Sequence, residues 1–349
     1  MGVFSGLLVD RPRGKMLVLS QAEVRQALTM TEAIAVVERA YAACSGGLAH
    51  IPVRTQVPVL SHGGTAIFMP AYVRASGPGG GESLGVKIVS VFPENPKRNL
   101  PTILGLVIML DPATGEPLAA MEASYLTALR TGAASGVATK YLAREDATRV
   151  AVFGAGAQAR TQLEAVAAVR RLHHVYIYDS DQGRAETMAA EMVDRLFGNS
   201  CQVTAVGSPV EVLAGVDIII TATTSAQPVF PAALCPPGVH INAIGSFTPE
   251  MREVPAETIV QAGKVVVDSR EAAWAEAGDL IIPWRTGQIT EDRIDAEIGE
   301  IILGQKKGRE IPEEITIFKA VGLAALDATV GQAIFERARA VGLGKAVAL

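Results

Sequence analysis

The chain has 349 residues, of which 49% are hydrophobic and 19% are charged, so it is long enough for two domains and too apolar for a disordered protein. A net charge of −5 without blocks of like charge argues against nucleic-acid-binding and membrane-surface proteins. No apolar run reaches the roughly 20 residues of a membrane span, and the scattered cysteines and histidines fit no disulfide or metal site, so we expect a cytoplasmic protein without a metal.

The N-terminal part is predicted to be an α+β unit with a mostly antiparallel sheet. After a short strand at 16–19, Ser20 and Glu23 form a capping box that begins a helix at 21–28. A second helix is expected to open at Thr31 and Glu32. Hairpin-length turns, one of them at 76–81, then separate strands predicted at 53–60, 65–72, 84–92, 104–110 and 117–120.

The C-terminal part alternates between strand and helix patterns, which is typical of a parallel, doubly wound sheet. A helix rich in small residues at 122–143 leads into it. A final helix is predicted at 317–340 and is expected to return to the first unit. The strands are predicted at 150–153, 174–179, 201–205, 216–222, 240–244 and 265–267.

A glycine-rich segment between a predicted strand and a predicted helix indicates a dinucleotide-binding site. Gly154 permits a tight turn, and Gly156 lets the backbone approach a pyrophosphate, which the N-terminus of the next helix would bind. A purely structural strand, turn and helix is the alternative. The segment reads Gly154, Ala155, Gly156, Ala157, Gln158 and Ala159.

An acid at the end of the next strand favours NAD over NADP. Asp179 follows Gly154 by 25 residues and is placed to bind the ribose 2′-hydroxyl, where it would repel a 2′-phosphate. Ser180 and Arg184 are near enough to accept a phosphate, so NADP stays possible. Thr223 and Ser225, at the end of another strand, are further cofactor-binding candidates, with ordinary strand-end polarity as the alternative.

Three cations interrupt apolar or small-residue stretches: Arg54 in IPVRTQVPV, Lys87 in LGVKIVSVF and Arg130 in YLTALRTGA. Buried Lys and Arg need an anionic partner, and none of these residues has an acid beside it in the sequence. A substrate carboxylate fits, because Arg binds it bidentately and Lys can pair with it and move protons. The alternative is that each cation lies on a solvated face.

Several segments together resemble the ornithine cyclodeaminase/mu-crystallin family. They include MPAY (69–72), GVKIVSVFPENP (85–96), VFGAGAQA (152–159), HINAIGS (240–246), EAGDLIIP (276–283) and EEITIFKAVGLAALD (313–327). The resemblance implies a Rossmann domain at 126–317, inserted into a substrate-binding and dimerisation domain made of 1–125 and 318–349. It also implies a homodimer that acts on amino or imino acids with NAD(H) or NADP(H).

The resemblance also implies roles for individual residues. By motif match, Arg54, Lys87 and Arg130 would hold the substrate α-carboxylate and form the catalytic set. We expect Met69 to line the substrate pocket and Thr131 to contact the cofactor.

Two departures from the family pattern bear on the reaction. Ser246 stands where cyclodeaminases of the family have an Asp, and Ile67 stands where they have a Glu. Neither can hold the side-chain amine of ornithine, which argues against ornithine cyclisation. The run from Ser246 to Glu253 is closer to the mu-crystallin and ketimine-reductase branch, and Ser246 becomes a substrate-binding candidate.

We therefore predict an NAD(P)H-dependent reductase of imino acids, such as Δ1-pyrroline-2-carboxylate or Δ1-piperideine-2-carboxylate. One alternative is an L-amino-acid dehydrogenase, like an alanine dehydrogenase, or an ornithine cyclodeaminase. Another, of a different class, is a nucleotide-dependent protein that binds a small ligand without turnover.

Overall fold

The computed structural model describes residues 14–74, 81–213 and 215–349. The turn predicted at 76–81 lies outside these ranges except for its last residue. Within them, no helix is long and apolar enough to cross a membrane.

The N-terminal part contains two helices, a run of strands and a third helix, which is the longest of the three. Its elements are β1 (Lys15–Leu19), α1 (Gln21–Ala27), α2 (Met30–Ser45), β2 (Ala49–His50), β3 (Thr55–Val59), β4 (Gly64–Arg74), β5 (Glu82–Val91), β6 (Ile103–Leu110), β7 (Pro117–Glu122) and α3 (Ala123–Leu142).

The rest of the chain alternates strands and helices. Its elements are β8 (Arg149–Phe153), α4 (Ala157–Val169), β9 (His174–Tyr178), α5 (Gln182–Met192), β10 (Gln202–Ala205), α6 (Pro209–Val212), β11 (Ile218–Thr221), β12 (His240–Ala243), α7 (Ala256–Gln261), β13 (Lys264–Val267), α8 (Arg270–Glu276), α9 (Gly278–Arg285), β14 (Ala296–Glu297), α10 (Ile298–Ile302), β15 (Thr316–Lys319), α11 (Ala324–Val341) and β16 (Lys345–Ala348).

The first sheet has the strand order β16-β1-β7-β6-β5-β4-β2, with β3 paired to β4. Its pairings are antiparallel except that β1 runs parallel to β7. The prediction of a mostly antiparallel sheet is therefore confirmed. Helix α11 packs across β4, β5 and β6, and α2 packs against both α11 and α3. The last helix thus belongs to the same layer as the N-terminal helices, as predicted.

The second sheet has the order β10-β9-β8-β11-β12-β15-β13-β14, and all of its described pairings are parallel. From β8 the chain adds β9 and β10 on one side of the sheet. From β11 it adds the remaining strands on the other side, with β15 inserted between β12 and β13. The doubly wound sheet is therefore confirmed, and its topological switch point lies between β8 and β11. Ligands of such sheets bind at the carboxyl ends of the strands at this point.

Both helices near the N-terminus begin with a capping box. The Ser20 amide donates to Glu23 at 2.8 Å, as predicted. Helix α2 begins at Met30, slightly earlier than expected, because Thr29 and Glu32 form the box there and the Thr29 amide donates to Glu32 at 2.9 Å. Each box satisfies amide groups that the helix itself leaves unpaired.

Helix α3 connects the two sheets and needs its small residues to do so. A Cβ on Gly132 would lie 2.5 Å from the Thr161 carbonyl oxygen of α4, and one on Gly136 would lie 2.6 Å from Ile34 of α2. The prediction that these small residues permit close packing is confirmed. Arg130 lies in the same helix, two residues before Gly132.

The helix predicted at 317–340 begins too early in the sequence. Residues Thr316–Lys319 instead form β15, a central strand of the parallel sheet between β12 and β13, and α11 begins at Ala324. The β-branched and aromatic residues at 315–318 favour a strand. Gly322, whose φ is +92°, then turns the chain before the helix. The predicted boundary at 317/318 falls inside β15, and the division into 1–125 with 318–349 and 126–317 stays a prediction.

Candidate active site

Two of the three predicted cations meet a buried acid. Lys87 on β5 and Arg130 on α3 both contact Asp327, in the first turn of α11. Lys87 Nζ lies 2.6 Å from Asp327 Oδ2, and Arg130 Nε lies 3.0 Å from Asp327 Oδ1. All three side chains are almost fully buried. Their charges are therefore poorly screened and strongly coupled.

Burial and the neighbouring charges in this cluster shift the pKa values of Lys87 and Asp327. Burial lowers the pKa of Lys87 to about 8, and the nearby Arg130 contributes to the lowering, while Asp327 opposes it. Burial alone would raise the pKa of Asp327, but Arg130 and Lys87 outweigh burial and hold that pKa below its usual value. At neutral pH Lys87 is thus mostly protonated and close to its titration, which suits a proton donor.

Arg54 joins the cluster from the segment before β3. Its Nε lies 3.2 Å from Glu276 Oε1 at the end of α8, and its Nη2 donates to the Gly322 carbonyl at 3.3 Å. A Cβ on Gly322 would lie 2.7 Å from Arg130 Nη1. The two arginines therefore flank Gly322, and the structure brings all three predicted cations together.

The anionic partners expected for these cations from elsewhere in the chain include two internal acids, and a substrate carboxylate as a further partner stays a prediction. Asp327 and Glu276 supply carboxylates, and both are distant in sequence from the cations they contact. The sequence offered one signal for Asp327. It is an acidic residue between Ala324 and Val330 on the apolar side of the last helix.

Apolar side chains form one wall beside the cations. Met69 on β4 is the cross-strand partner of Lys87, so both side chains point to the same face of the sheet. Met69 is buried and packs against Ala324 and Ala328 of α11, and Ile67 lies against the same group. The predicted pocket residue Met69 thus lies next to the predicted proton donor.

The glycine-rich turn lies at the switch point of the parallel sheet. Gly154 has φ +99°, and a Cβ there would lie 2.6 Å from the Ala222 carbonyl oxygen, so the close turn requires glycine. Gly156 caps α4 without a side-chain hydrogen bond, and the nearest described atom to its Cβ position is Arg184 Nη2 at 3.8 Å. The Arg184 guanidinium therefore lies beside the N-terminus of α4, whose free amide groups suit a pyrophosphate.

The other residues of the glycine-rich turn, and a cleft beside it, lie at the same edge of the parallel sheet. Ala157 begins α4 and is exposed, and the Gln158 side-chain oxygen is buried without a hydrogen bond in the described part of the chain. A cleft of about 440 Å³ opens beside the turn, and its lining residues are Ala155, Arg160, Asp181, Gly183, Arg184 and Thr187.

Asp179 directly follows β9 and reaches back to the turn. Its Oδ2 accepts a hydrogen bond from the Ala155 amide at 2.7 Å, and its Oδ1 accepts one from the Asp181 amide at 3.0 Å. Ser180 beside it is exposed. Both carboxylate oxygens thus accept backbone hydrogen bonds beside the glycine-rich turn, and the contact of Asp179 with a ribose stays a prediction.

The remaining cofactor candidates use their hydroxyls inside the protein. Thr131 donates to the Thr127 carbonyl at 2.6 Å, and Ser225 donates to the Gln227 carbonyl at 2.6 Å. Thr223 follows β11 at the switch point, and its hydroxyl donates to Glu253 at 2.8 Å. Their contact with a cofactor stays a prediction.

Comparison with known proteins identifies the family. The sequence model of the ornithine cyclodeaminase/mu-crystallin family matches residues 14–342. The chain belongs to this family. It is 44% identical to a Δ1-pyrroline-2-carboxylate reductase of Bacillus cereus over 332 residues, which cover 95% of this chain and 99% of that protein.

Two solved structures of the ornithine cyclodeaminase/mu-crystallin family are closely similar. One is Thermococcus litoralis Δ1-pyrroline-2-carboxylate reductase in complex with NADH and L-proline, with 44% identity, a TM-score of 0.88 and coverage of 95% of this chain and 99% of that chain. The other is an archaeal alanine dehydrogenase dimer with bound NAD, with 36% identity, a TM-score of 0.86 and the same coverage.

Sequence reasoning missed a buried charged network in this family member. Lys319, at the end of β15, is fully buried, and its Nζ lies 3.1 Å from Asp279 Oδ2. Asp279 Oδ1 accepts hydrogen bonds from the Glu253 amide at 2.7 Å and the Val254 amide at 2.9 Å. Burial and Asp279 raise the pKa of Glu253, against the effect of Lys319. A lysine in a strand of apolar residues was the signal that pointed to this network.

The network holds Ser246 by its backbone. The Ser246 amide donates to Glu253 Oε2 at 3.0 Å, and Lys319 Nζ donates to the Ser246 carbonyl at 2.5 Å. The Ser246 side chain is fully buried, and its hydroxyl donates to the Met251 carbonyl at 2.8 Å. The Ser246 hydroxyl is thus used inside the protein, and its contact with substrate stays a prediction.

Proposed function

We propose that this protein is an NADH-dependent reductase of cyclic α-imino acids, with Δ1-pyrroline-2-carboxylate and Δ1-piperideine-2-carboxylate as substrates and L-amino acids as products. The observation that carries the proposal is the cluster in which Lys87 and Arg130 share the buried Asp327, while Arg54 lies beside them across Gly322. It adjoins the connection from β15, a strand of the parallel sheet, to α11. The close relatives named as Δ1-pyrroline-2-carboxylate reductases support the same reaction.

Binding relies on the two arginines and the apolar wall. Arg54 and Arg130 hold the α-carboxylate, because guanidinium groups pair with carboxylates through directed hydrogen bonds. Met69 and Ile67 contact the carbon skeleton of the ring. Fixing the carboxylate orients the imine carbon for reaction, which removes much of the entropic barrier.

Lys87 supplies the proton. When NADH is bound, the hydride for the imine carbon would come from its nicotinamide. Lys87 transfers its proton to the imine nitrogen, so the C=N bond becomes a CH–NH unit and Lys87 is left neutral until it takes a proton from solvent. Asp327 and Arg130 keep the lysine in position, and its pKa of about 8 keeps the proton both present and transferable near neutrality.

NADH binding uses the edge of the parallel sheet. The backbone at Gly154–Gln158 and the α4 N-terminus hold the pyrophosphate, and Asp179 binds the adenosine ribose. The bound NADH or NAD named for two relatives supports this choice of cofactor. Arg184, near the turn, leaves a weaker use of NADPH open.

The assembly is proposed to be a homodimer in the cytoplasm. Apolar side chains are exposed on the strands of the first sheet, which favours coverage by a second copy, and one relative is named as a dimer. The three cysteines are free thiols, which supports a reducing compartment. The exposed apolar side chains include Val57, Ile103, Leu104 and Leu106.

The decisive assay follows NADH and NADPH oxidation with Δ1-pyrroline-2-carboxylate and Δ1-piperideine-2-carboxylate, in parallel with L-ornithine or L-alanine plus NAD. We expect rapid NADH oxidation with the imines, slower oxidation of NADPH and no proline from ornithine. Ammonia release from ornithine or alanine, without imine reduction, would reject the proposal. Tight NADH binding without turnover of either imine would instead indicate a binding protein.

A further inference from the structure

One acid at the site has no part in the mechanism above. Glu276 ends α8, a helix whose Ala273 belongs to the core of the parallel sheet, and it pairs with Arg54, which leads into the antiparallel sheet. The ion pair therefore joins the two halves of the molecule beside the cation cluster. The arginine in this pair is one that the proposed mechanism assigns to the substrate.

The pair differs from the buried cluster in being accessible. The side chains of Arg54 and Glu276 are 24% and 23% exposed, whereas those of Lys87 and Asp327 are 4% and 1% exposed. Glu276 Oε2 has no hydrogen bond to any described residue, so the carboxylate is held through one oxygen. The other oxygen is buried without a hydrogen bond among the described residues, so this carboxylate gives up its partner more easily than Asp327, which is held through both oxygens.

The charges at the site also leave room for one more anion. Arg54, Lys87 and Arg130 carry three positive charges, and Asp327 and Glu276 carry two negative ones. One substrate carboxylate makes the group neutral. Asp327 is fixed between two buried cations, so Glu276 is the carboxylate that can move.

We propose that Glu276 is a binding-site residue that occupies Arg54 in the free enzyme and is displaced by the α-carboxylate of the substrate. The proposal rests on the proposed function for the identity of that substrate. Arg54 then keeps a carboxylate partner in both states. The substrate carboxylate binds more favourably than Glu276 because it also reaches Arg130 on the other side of Gly322. The free energy of breaking the Arg54–Glu276 pair is subtracted from the affinity for substrate.

The test compares Glu276→Gln with Glu271→Gln, a control at an exposed position of the same helix. Pyrrole-2-carboxylate, a flat carboxylate that cannot be reduced, is titrated into the enzyme–NADH complex by NADH fluorescence, and KM is measured for Δ1-pyrroline-2-carboxylate. A partly exposed ion pair contributes up to about 1 kcal/mol. Glu276→Gln should therefore lower the Kd for pyrrole-2-carboxylate and the KM for Δ1-pyrroline-2-carboxylate about three- to fivefold. The control should change neither, and unchanged or weaker binding by Glu276→Gln overturns the proposal.

A double-mutant cycle separates displacement from a general charge effect. In an Arg54→Ala background, Glu276→Gln has no pair to release and should leave the affinity for pyrrole-2-carboxylate unchanged. An equal gain in that background overturns the proposal. Melting temperatures check the fold, and Glu276→Ala, which should also tighten binding, replaces Glu276→Gln if that variant does not fold. If the wild type binds the analogue but reduces neither imine, the proposed function fails, while the variants still decide the displacement.

Discussion

The contact between Lys87 and Asp327 predicts how the enzyme responds to pH. If Lys87 is the proton donor, kcat/KM of the wild type should fall as the pH rises through about 8, because the lysine loses its proton there. Asp327 lies 2.6 Å from Lys87 and favours its charged form. Asp327→Asn removes that charge and leaves Arg130, which disfavours the charged lysine.

The size of the shift follows from the geometry. An adjacent opposite charge changes a pKa by about 1–3 units, so in Asp327→Asn the fall should begin roughly 1–3 pH units lower than in the wild type. With a shift of about 2 units, Lys87 would be mostly neutral at pH 7, and kcat/KM there should drop about tenfold. Leaving two buried cations without a carboxylate also costs about 3–5 kcal/mol of stability.

The assay is NADH oxidation with Δ1-pyrroline-2-carboxylate from pH 5.5 to 9.5, with the melting temperature measured across the same range. Titration of the substrate imine is common to both enzymes, so only the difference between their profiles is interpreted. Asp194→Asn, at an exposed position, controls for the loss of a negative charge. Superimposable profiles of the wild type and Asp327→Asn, or a fall at higher pH in the variant, would refute the role given to Lys87.

Three further predictions test other parts of the site. Lys87→Met should lower kcat about 10²-fold or more while NADH binding, measured by fluorescence, stays intact; full turnover would exclude proton donation by Lys87. Gly322→Ala should raise KM and lower stability by about 1–3 kcal/mol, measured by denaturant unfolding, because its φ is +92° and the new Cβ would meet Arg130; an unaltered KM would contradict the flanking arrangement. Asp179→Ser should shift the ratio of kcat/KM for NADH to that for NADPH at least about tenfold towards NADPH, and an unchanged ratio would remove Asp179 from the cofactor site.

Local features of the sequence were sufficient for the framework of the fold. The Ser20–Glu23 capping box, the turn at Gly154 and the small residues of α3 each depend on neighbours close in the chain, and the structure confirms them. Alternation of strands and helices after residue 149 was enough to predict the doubly wound sheet. The family was also evident from motifs along the chain.

The partners of the buried charged residues could not be predicted in the same way. Asp327 lies 197 residues from Arg130, and Lys319 lies 73 residues from Ser246, so only the folded topology makes them partners. The misplaced start of the last helix has a related cause. The β-branched and aromatic residues at 315–318 favour a strand, but only the folded sheet shows that this strand pairs between β12 and β13.

The connection from β15 to α11 carries residues of both the buried charged network and the cation cluster. Lys319 holds the strand end on the nucleotide side, Gly322 lies between the two arginines, and Asp327 anchors the cations, all within one short stretch of chain. A coupling between the two ligands through this stretch would change both affinities by the same factor. Substitutions in residues 319–327 should therefore be tested for nucleotide affinity as well as for imino-acid preference, and the same holds for Met69, which packs against Ala324.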